Sequence, residues 1–531
     1  MKNIRFFVSI FILACFLGLL IGCSDTHNVS DSAGTSITKG DEVSAKNNYW
    51  PDDIWRESTP EEQGMDSAKL VDMLKYIQSS GNEIHSIVLI RNGYKVLDAN
   101  FFPYKSNVKH VVNSCTKSIT STLFGIAVEE GLVKSVDTKL LDYYKDRSIK
   151  NIDEKKKELA LKHLLTMTAG FDWSENGSYD SNDSWIQMRN SPDPVQFILD
   201  SQVKETPGTS FYYNTGATHL ISSIINNVTG QKTADYAAQK LFGPIGIKDF
   251  YWQEDQQGIN IGGAGLFMTP QDMARFGYLF LQNGVWKEKQ VVPENWIKQA
   301  VSKKTDTPSG LAGHYGYGYQ WWMNNFGGYS ARGYGGQYIF VLPDYNVVAV
   351  FTGALQGSNF FLPENLVESF IIASLKSTES RNENSDSFIE LESLLKNIQE
   401  APKSERIPDL PAIVKNVSGK LISMENGDEI YLSFPNGTNA EFRHGPSNNI
   451  TIGLDNVYRL SDAGRYWPLP DHNLVAAKGY WKDEKSFIIK LLSLHEMDEL
   501  TYTLTFEKNL VNLVFESRQG GELMRTKGEI K

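Results

Sequence analysis

The feature that most constrains this chain is one change of pattern along its length. From Trp50 to about Leu375, stretches of helical periodicity alternate with short strand-like runs. From Val417 onward only short strand-like runs remain, with Asn-Gly turns at Asn426-Gly427 and Asn436-Gly437. A single core does not serve both patterns, and 531 residues exceed one ordinary core at roughly 150 residues per domain. The first region predicts an α/β (α+β) sandwich, an antiparallel sheet flanked by helices. Its hairpins are predicted at 84–90 with 94–99, around Arg91-Asn92-Gly93, and at 337–342 with 347–352, around Pro343-Asp344. Residues 114–130 read as a helix, with Ile119, Leu123, Ile126 and Ala127 on one face and Gly131 as its stop. The second region, 412–531, predicts a small antiparallel β domain, sandwich or barrel. Residues 376–411 are charged and contain Ser and Pro, and read as a linker with one helical stretch near 388–398. No internal repeat is visible.

The N-terminus reads as an address. Lys2 and Arg5 precede an apolar run over 6–21, too short for a membrane span and right for the apolar region of a signal peptide. The run ends in Leu20-Ile21-Gly22-Cys23, which resembles the lipobox of bacterial lipoproteins. The resemblance implies that residues 1–22 are removed and that Cys23 is acylated. It places the chain in the bacterial cell envelope, lipid-anchored to a membrane and facing the periplasm or exterior. The alternative is an uncleaved signal anchor. Residues 23–48 are rich in Ser, Asp, Thr and Gly and read as a flexible tether. After cleavage only Cys23 and Cys115 remain, so a lipidated Cys23 leaves no intrachain disulfide.

Charge excludes one class of partner. Lys and Arg number 52 against 63 Asp and Glu, a net charge of −11, which opposes nucleic-acid binding by phosphate neutralisation.

Three segments carry candidate chemistry. Ser114-Cys115-Thr116-Lys117 is an S-x-x-K at the predicted helix start. A serine hydroxyl is a poor nucleophile until a base takes its proton. Residues three apart share a helix face, so the Lys117 amine reaches the Ser114 hydroxyl. The helix N-terminus favours developing negative charge. S-x-x-K also begins at Ser36, Ser106, Ser201 and Ser393, but only Ser114 opens an apolar helix directly after an extended segment, Val111-Val112-Asn113. The second segment is Tyr212-Tyr213-Asn214, the one Y-x-N, following Pro207-Gly208-Thr209-Ser210-Phe211. There the Tyr212 phenol is the candidate proton relay and Asn214 a donor to a substrate carbonyl. The third is Tyr334-Gly335-Gly336-Gln337, where paired glycines allow a substrate backbone to approach a strand edge. The amides of Ser114 and Gln337 are then the candidate oxyanion hole. The bland readings are a solvated Ser–Lys pair, a surface aromatic turn and a glycine-rich hairpin entry.

In this order the three segments resemble the serine β-lactamase and penicillin-binding-protein superfamily, over roughly residues 49–375. The likeness is nearest to the class C β-lactamase-related branch of family VIII esterases, 6-aminohexanoate-dimer hydrolases and D-aminopeptidases. Supporting stretches are Asn113-Ser114-Cys115-Thr116-Lys117-Ser118-Ile119-Thr120-Ser121, His163-Leu164-Leu165-Thr166-Met167-Thr168-Ala169-Gly170 and Gly262-Gly263-Ala264-Gly265-Leu266. The resemblance implies a cofactor-free serine hydrolase cleaving an ester or amide of a small molecule or peptide. Ser114 is then the acylated nucleophile, Lys117 and Tyr212 the proton-handling pair in either order, Asn214 polar support and Gln337 the second oxyanion donor. β-Lactam-handling relatives carry K-T-G or H-x-G at the third segment, whereas Tyr334 stands here. That departure weighs against a β-lactamase or D-Ala-D-Ala carboxypeptidase. Arg332 is the candidate replacement anion anchor; otherwise it is a solvated strand-end residue. Trp173, Tyr179 and Trp185 are candidate cleft-rim aromatics or packing residues.

Other chemistries lack their signatures. There is no G-x-S-x-G elbow, no G-x-x-x-x-G-K-[ST], and His495-Glu496 lacks the second histidine of H-E-x-x-H. His110 and His163 read as packed or surface residues, and Cys115 as helix packing. The competing function is an envelope lipoprotein that binds or senses peptides or peptidoglycan fragments with little turnover.

Overall fold

The computed structural model describes residues 49–531 except 52–53, 176–181, 309–314, 377–385, 466–468 and 471. The signal segment 1–22, Cys23, the tether 23–48 and Tyr179 lie outside the described residues.

Six strands form the central sheet: β1 (Ile84–Arg91), β2 (Tyr94–Asn100), β3 (Trp322–Met323), β4 (Tyr329–Gly333), β5 (Gln337–Leu342) and β6 (Val347–Gly353). Their order is β2-β1-β6-β5-β4-β3, antiparallel throughout. The N-terminal hairpin therefore pairs with the C-terminal strand through β1 and β6. Side chains alternate between faces, and both faces are covered. Val88, Ile90, Ile339, Val341, Val348 and Val350 meet one helical layer. Ile87, Leu89, Tyr338, Phe340, Ala349 and Phe351 meet the other, built partly on α1 (Ser67–Ser80).

Helix α2 (Cys115–Glu129) passes through the middle of the first layer. The sequence predicts one buried face, but every residue from Cys115 to Ala127 is buried. Its hydroxyls make this possible by donating to loop carbonyls: Ser118 to Gln320, Thr120 to Gly262 and Ser121 to Tyr319, at 2.6–2.8 Å. Gly125 lets the Trp296 ring lie against the helix, since a Cβ there would come within 2.3 Å of it. Helix α3 (Thr215–Thr229) packs across α2, and Asn214 caps its N-terminus.

Part of the segment read as a linker packs on the first domain. Within it, α4 (Asp386–Gln399) buries Leu391 and Ile398 against the α1 side of the sheet. The Ile398 carbonyl accepts from the Phe102 amide at 2.8 Å.

Ten strands between Lys420 and Ile530 form a second sheet. Sequence neighbours pair antiparallel except the fourth (Ile450–Gly453) and fifth (Arg459–Asp462), and the first strand (Lys420–Met424) pairs with the last (Gly521–Ile530). The fourth meets the sixth (Leu474–Trp481) in parallel through Gly453 and Lys478, which closes a barrel. Alternate residues such as Tyr502, Leu504 and Phe506 fill its interior. Closure decides the open choice between sandwich and barrel.

Candidate active site

Ser114 stands at the N-cap of α2 with no capping hydrogen bond from its side chain. Its hydroxyl meets the Lys117 amine instead, Nζ to Oγ 2.9 Å. Lys117 is buried, and Nζ also donates to Thr215 Oγ1 at 2.8 Å and to the Gly263 carbonyl at 2.9 Å. Gly263 permits that approach, because a Cβ would stand 2.6 Å from Thr215 Cγ2 and 3.2 Å from Lys117 Nζ. Burial pulls the ammonium down to about 8, against an opposing pull from the Glu175 carboxylate. The described lysines of two other S-x-x-K segments have surface partners: Lys109 pairs with Asp249 at 2.6 Å and Lys204 with Asp172 at 2.8 Å.

The second segment contributes a different tyrosine from the one expected. Tyr212 is half exposed. Tyr213 directs its hydroxyl at the Ser114 side chain, and its ring centroid lies 4.7 Å from Lys117 Nζ. Burial pushes the Tyr213 phenol well above its usual range, so it stays protonated. Its ring stacks on Trp322 at 6.0 Å. Asn214 caps the helix: its Oδ1 accepts from the Ala217 amide at 2.9 Å. Phe211 and Tyr213 both pack on Trp322 while Tyr212 faces outward, and Asn214 holds the helix cap behind them. The N-cap signature, Asn just before an apolar helix, was the available signal for this cap.

Two residues missed at the sequence level continue the contacts of Lys117. Thr215 Oγ1 donates to Glu175 Oε1 at 2.5 Å, and the Thr215 amide donates to Oε2 at 2.7 Å. The Trp173 indole holds Oε2 from the other side at 2.8 Å. A line of hydrogen bonds therefore runs from Ser114 through Lys117 and Thr215 to Glu175. Trp173 and Trp185 are buried in the core.

The third segment is put to structural use. Gly335 and Gly336 have φ of 82° and 88°, and added Cβ atoms would strike Met497 and Leu355 rather than open cleft. Gln337 is fully buried, with Nε2 donating to the carbonyls of Gly353 at 2.7 Å and Tyr334 at 3.1 Å. Its main chain pairs with Gly333, and its carbonyl accepts from the Cys115 thiol. The Tyr334 ring stacks on Phe360. Gly333 is the residue that comes against Ser114: a Cβ there would lie 3.1 Å from the Ser114 amide nitrogen. β3 pairs only with Tyr329 and Ser330, so among the described residues 331–333 has no strand on that side.

Arg332 is neither anion anchor nor solvated. It is buried and ion-paired with Glu364 at 2.9 Å, and it also donates to Ser330 and Asn324. His110 is buried beside His85, 2.9 Å between ring nitrogens. His163 is tied to the Ala160 amide, and burial pushes the Cys115 thiol up. Among the described residues no group of three or more His, Cys, Asp or Glu side chains is arranged for a metal ion.

This sheet, with a serine and a lysine at the head of a buried central helix, defines a class. The β-lactamase family matches residues 84–368, more than half of the chain, and the chain belongs to that family. The 6-aminohexanoate-dimer hydrolase of Paenarthrobacter ureafaciens is 23% identical over 260 residues, spanning 46% of this chain and 65% of that protein. A β-lactamase candidate from Bacteroides dorei DSM 17855 shares the fold at 18% identity and TM-score 0.50, over 59% of this chain and 100% of that one. An octameric penicillin-binding protein homologue from Pyrococcus abyssi aligns over 88% of this chain and 100% of its own, at 18% identity and TM-score 0.47.

Proposed function

We propose that the chain hydrolyses an ester or amide of a small molecule or peptide through an acyl-enzyme on Ser114. The observation that carries this reading is the 2.9 Å contact between Ser114 and an amine that burial holds near neutrality. Neutral Lys117 takes the hydroxyl proton as Ser114 Oγ bonds to the substrate carbonyl carbon. Tyr213 keeps its proton too tightly to be the first base, so it serves as the relay that passes a proton to the departing alcohol or amine and takes one back from the Lys117 ammonium, which is left as the free amine. The tetrahedral oxyanion is held by the Ser114 amide at the head of α2, beside the 331–333 edge. Water then attacks the acyl carbon and gives a proton to the Lys117 amine, which passes it to Ser114 Oγ as the acid leaves, so the hydroxyl and the free amine are both restored.

The ion pair of Arg332 with Glu364 removes the cation that would hold a substrate carboxylate, which favours neutral esters and amides over β-lactams. The resemblance of 20–23 to a lipobox adds an envelope location to the proposal. Loss of palmitate incorporation in Cys23→Ala tests that part.

The main test is a fluorophosphonate serine probe together with p-nitrophenyl esters, D-amino-acid amides and nitrocefin. Labelling and multiple turnover are expected in the wild type, and neither in Ser114→Ala. Labelling retained in Ser114→Ala would sink the assignment.

A further inference from the structure

The C-terminal barrel reaches the nucleophile. Its loop 494–498 lies against the strand that leads to Ser114: the Val111 amide donates to the His495 carbonyl at 2.8 Å. His495 Nδ1 donates to the Lys109 carbonyl at 2.6 Å, and Nε2 accepts from the barrel's own Leu474 amide at 3.1 Å. One histidine tautomer satisfies both contacts.

Met497 goes furthest in. It is 1% exposed and packs with Val111, Phe267, Ala354 and Leu469, with Tyr334 alongside. Its sulfur accepts from Asn113 Nδ2 at 3.1 Å and lies 3.2 Å from Gln337 Nε2. Gly335 makes room, since a Cβ there would fall 2.0 Å from that sulfur. The barrel fixes the Met497 carbonyl in turn, through Arg518 at 3.1 Å and Gln519 at 3.2 Å. Arg518 also forms an ion pair with Glu83 of the hydrolase domain.

Asn113 explains why this contact matters. It immediately precedes Ser114 and has φ of 46°, a left-handed conformation that a non-glycine residue holds only when its surroundings enforce it. Its side-chain amide has two hydrogens, and the structure gives it two acceptors. One is the Tyr334 carbonyl at 2.9 Å, and the other is Met497 from the barrel. Half of the clamp on the residue that aims the nucleophile therefore belongs to the other domain. Burial and the neighbouring Asp498 push the Glu496 carboxyl up to about 8.

We propose that the barrel is a working part of the hydrolase site, in which Met497 is a positioning residue that holds Asn113, and through it Ser114, in the attacking geometry. This rests on the assignment of Ser114 as nucleophile.

The test uses the full chain with Met497→Ala and Met497→Leu. Its readouts are the rate of fluorophosphonate labelling, kcat and KM on the best ester, and thermal unfolding. Met497→Leu keeps the apolar bulk over Gly335 but offers no acceptor, so it should melt like the wild type. Its labelling and kcat should fall about fivefold with KM unchanged. Met497→Ala should fall further, by about 30-fold. Where the alanine variant melts early, the leucine variant decides. A leucine variant with wild-type labelling and kcat overturns the proposal, as does one whose KM alone changes. Labelling that persists in Ser114→Ala fails the nucleophile assignment instead, so the two failures are distinguishable.

Discussion

The start of α2 and the 333–337 turn lie against each other and are both rich in small and polar residues, yet they use them in opposite ways. At the helix start, side chains face each other: Ser114 meets Lys117, and Lys117 meets Thr215. At the turn, side chains face away from the cleft, Gln337 into the main chain and Tyr334 onto Phe360. In the proposed mechanism the first region does the chemistry, and the second holds the first in place. A glycine-rich motif beside a nucleophile can exist to seat a neighbouring domain rather than a substrate.

The largest effect that would break this contrast belongs to the helix start. Lys117→Ala should lower kcat by about 10⁴-fold with little change in melting temperature, because nucleophile and base act as one unit. Burst-phase kinetics check whether acylation is the step lost.

Next comes the turn's own strand. Arg332→Met leaves Glu364 buried without its cation, which should cost about 3–5 kcal/mol in urea unfolding. The relative rates on neutral and carboxylate-bearing substrates should not move. A selective loss of carboxylate-bearing substrates would return Arg332 to the cleft.

The two tyrosines sharpen the contrast at single-residue resolution. Tyr213→Phe should lower kcat by about 10²-fold, the usual worth of a positioned proton donor. Tyr212→Phe should stay within about twofold, as for other exposed positions. Parallel pH–rate profiles of the two variants decide between them.

The smallest effect lies in the Lys117 titration. Activity needs the neutral amine, so kcat/KM should rise with pH through about 8 and be low in acid. Glu175 favours the ammonium, so Glu175→Gln should move this limb to lower pH. Movement the other way would mean that Glu175 does not act through charge.

Much of this was legible in the sequence where the code is local. The two hairpins, α2 and the Asn-Gly turns follow from periodicity and turn chemistry, and the S-x-x-K pair follows from helix geometry. The Tyr212 assignment failed because two adjacent tyrosines share one motif, and only the packing on Trp322 tells which one turns inward. Glu175 was invisible because its tie to Thr215 spans 40 residues of chain. Met497 was hidden more deeply. Nothing local in a barrel loop announces that its sulfur sits under a glycine 162 residues earlier. Residues 386–399 were hidden within the 376–411 stretch because a charged, Ser-containing segment can still present Leu391 and Ile398 on one face.

The three contacts of Lys117 carry a consequence for speed. An ammonium donates to all three oxygens. A free amine donates to Thr215 and Gly263 and turns its lone pair to the serine hydroxyl, along the same three lines. Thr215 hands its own hydrogen to Glu175 in either state. Charging and discharging the base thus shifts hydrogens while the heavy atoms stand still, and the cost of rearranging the surroundings, which water would exact at every turnover, is met once, when the chain folds.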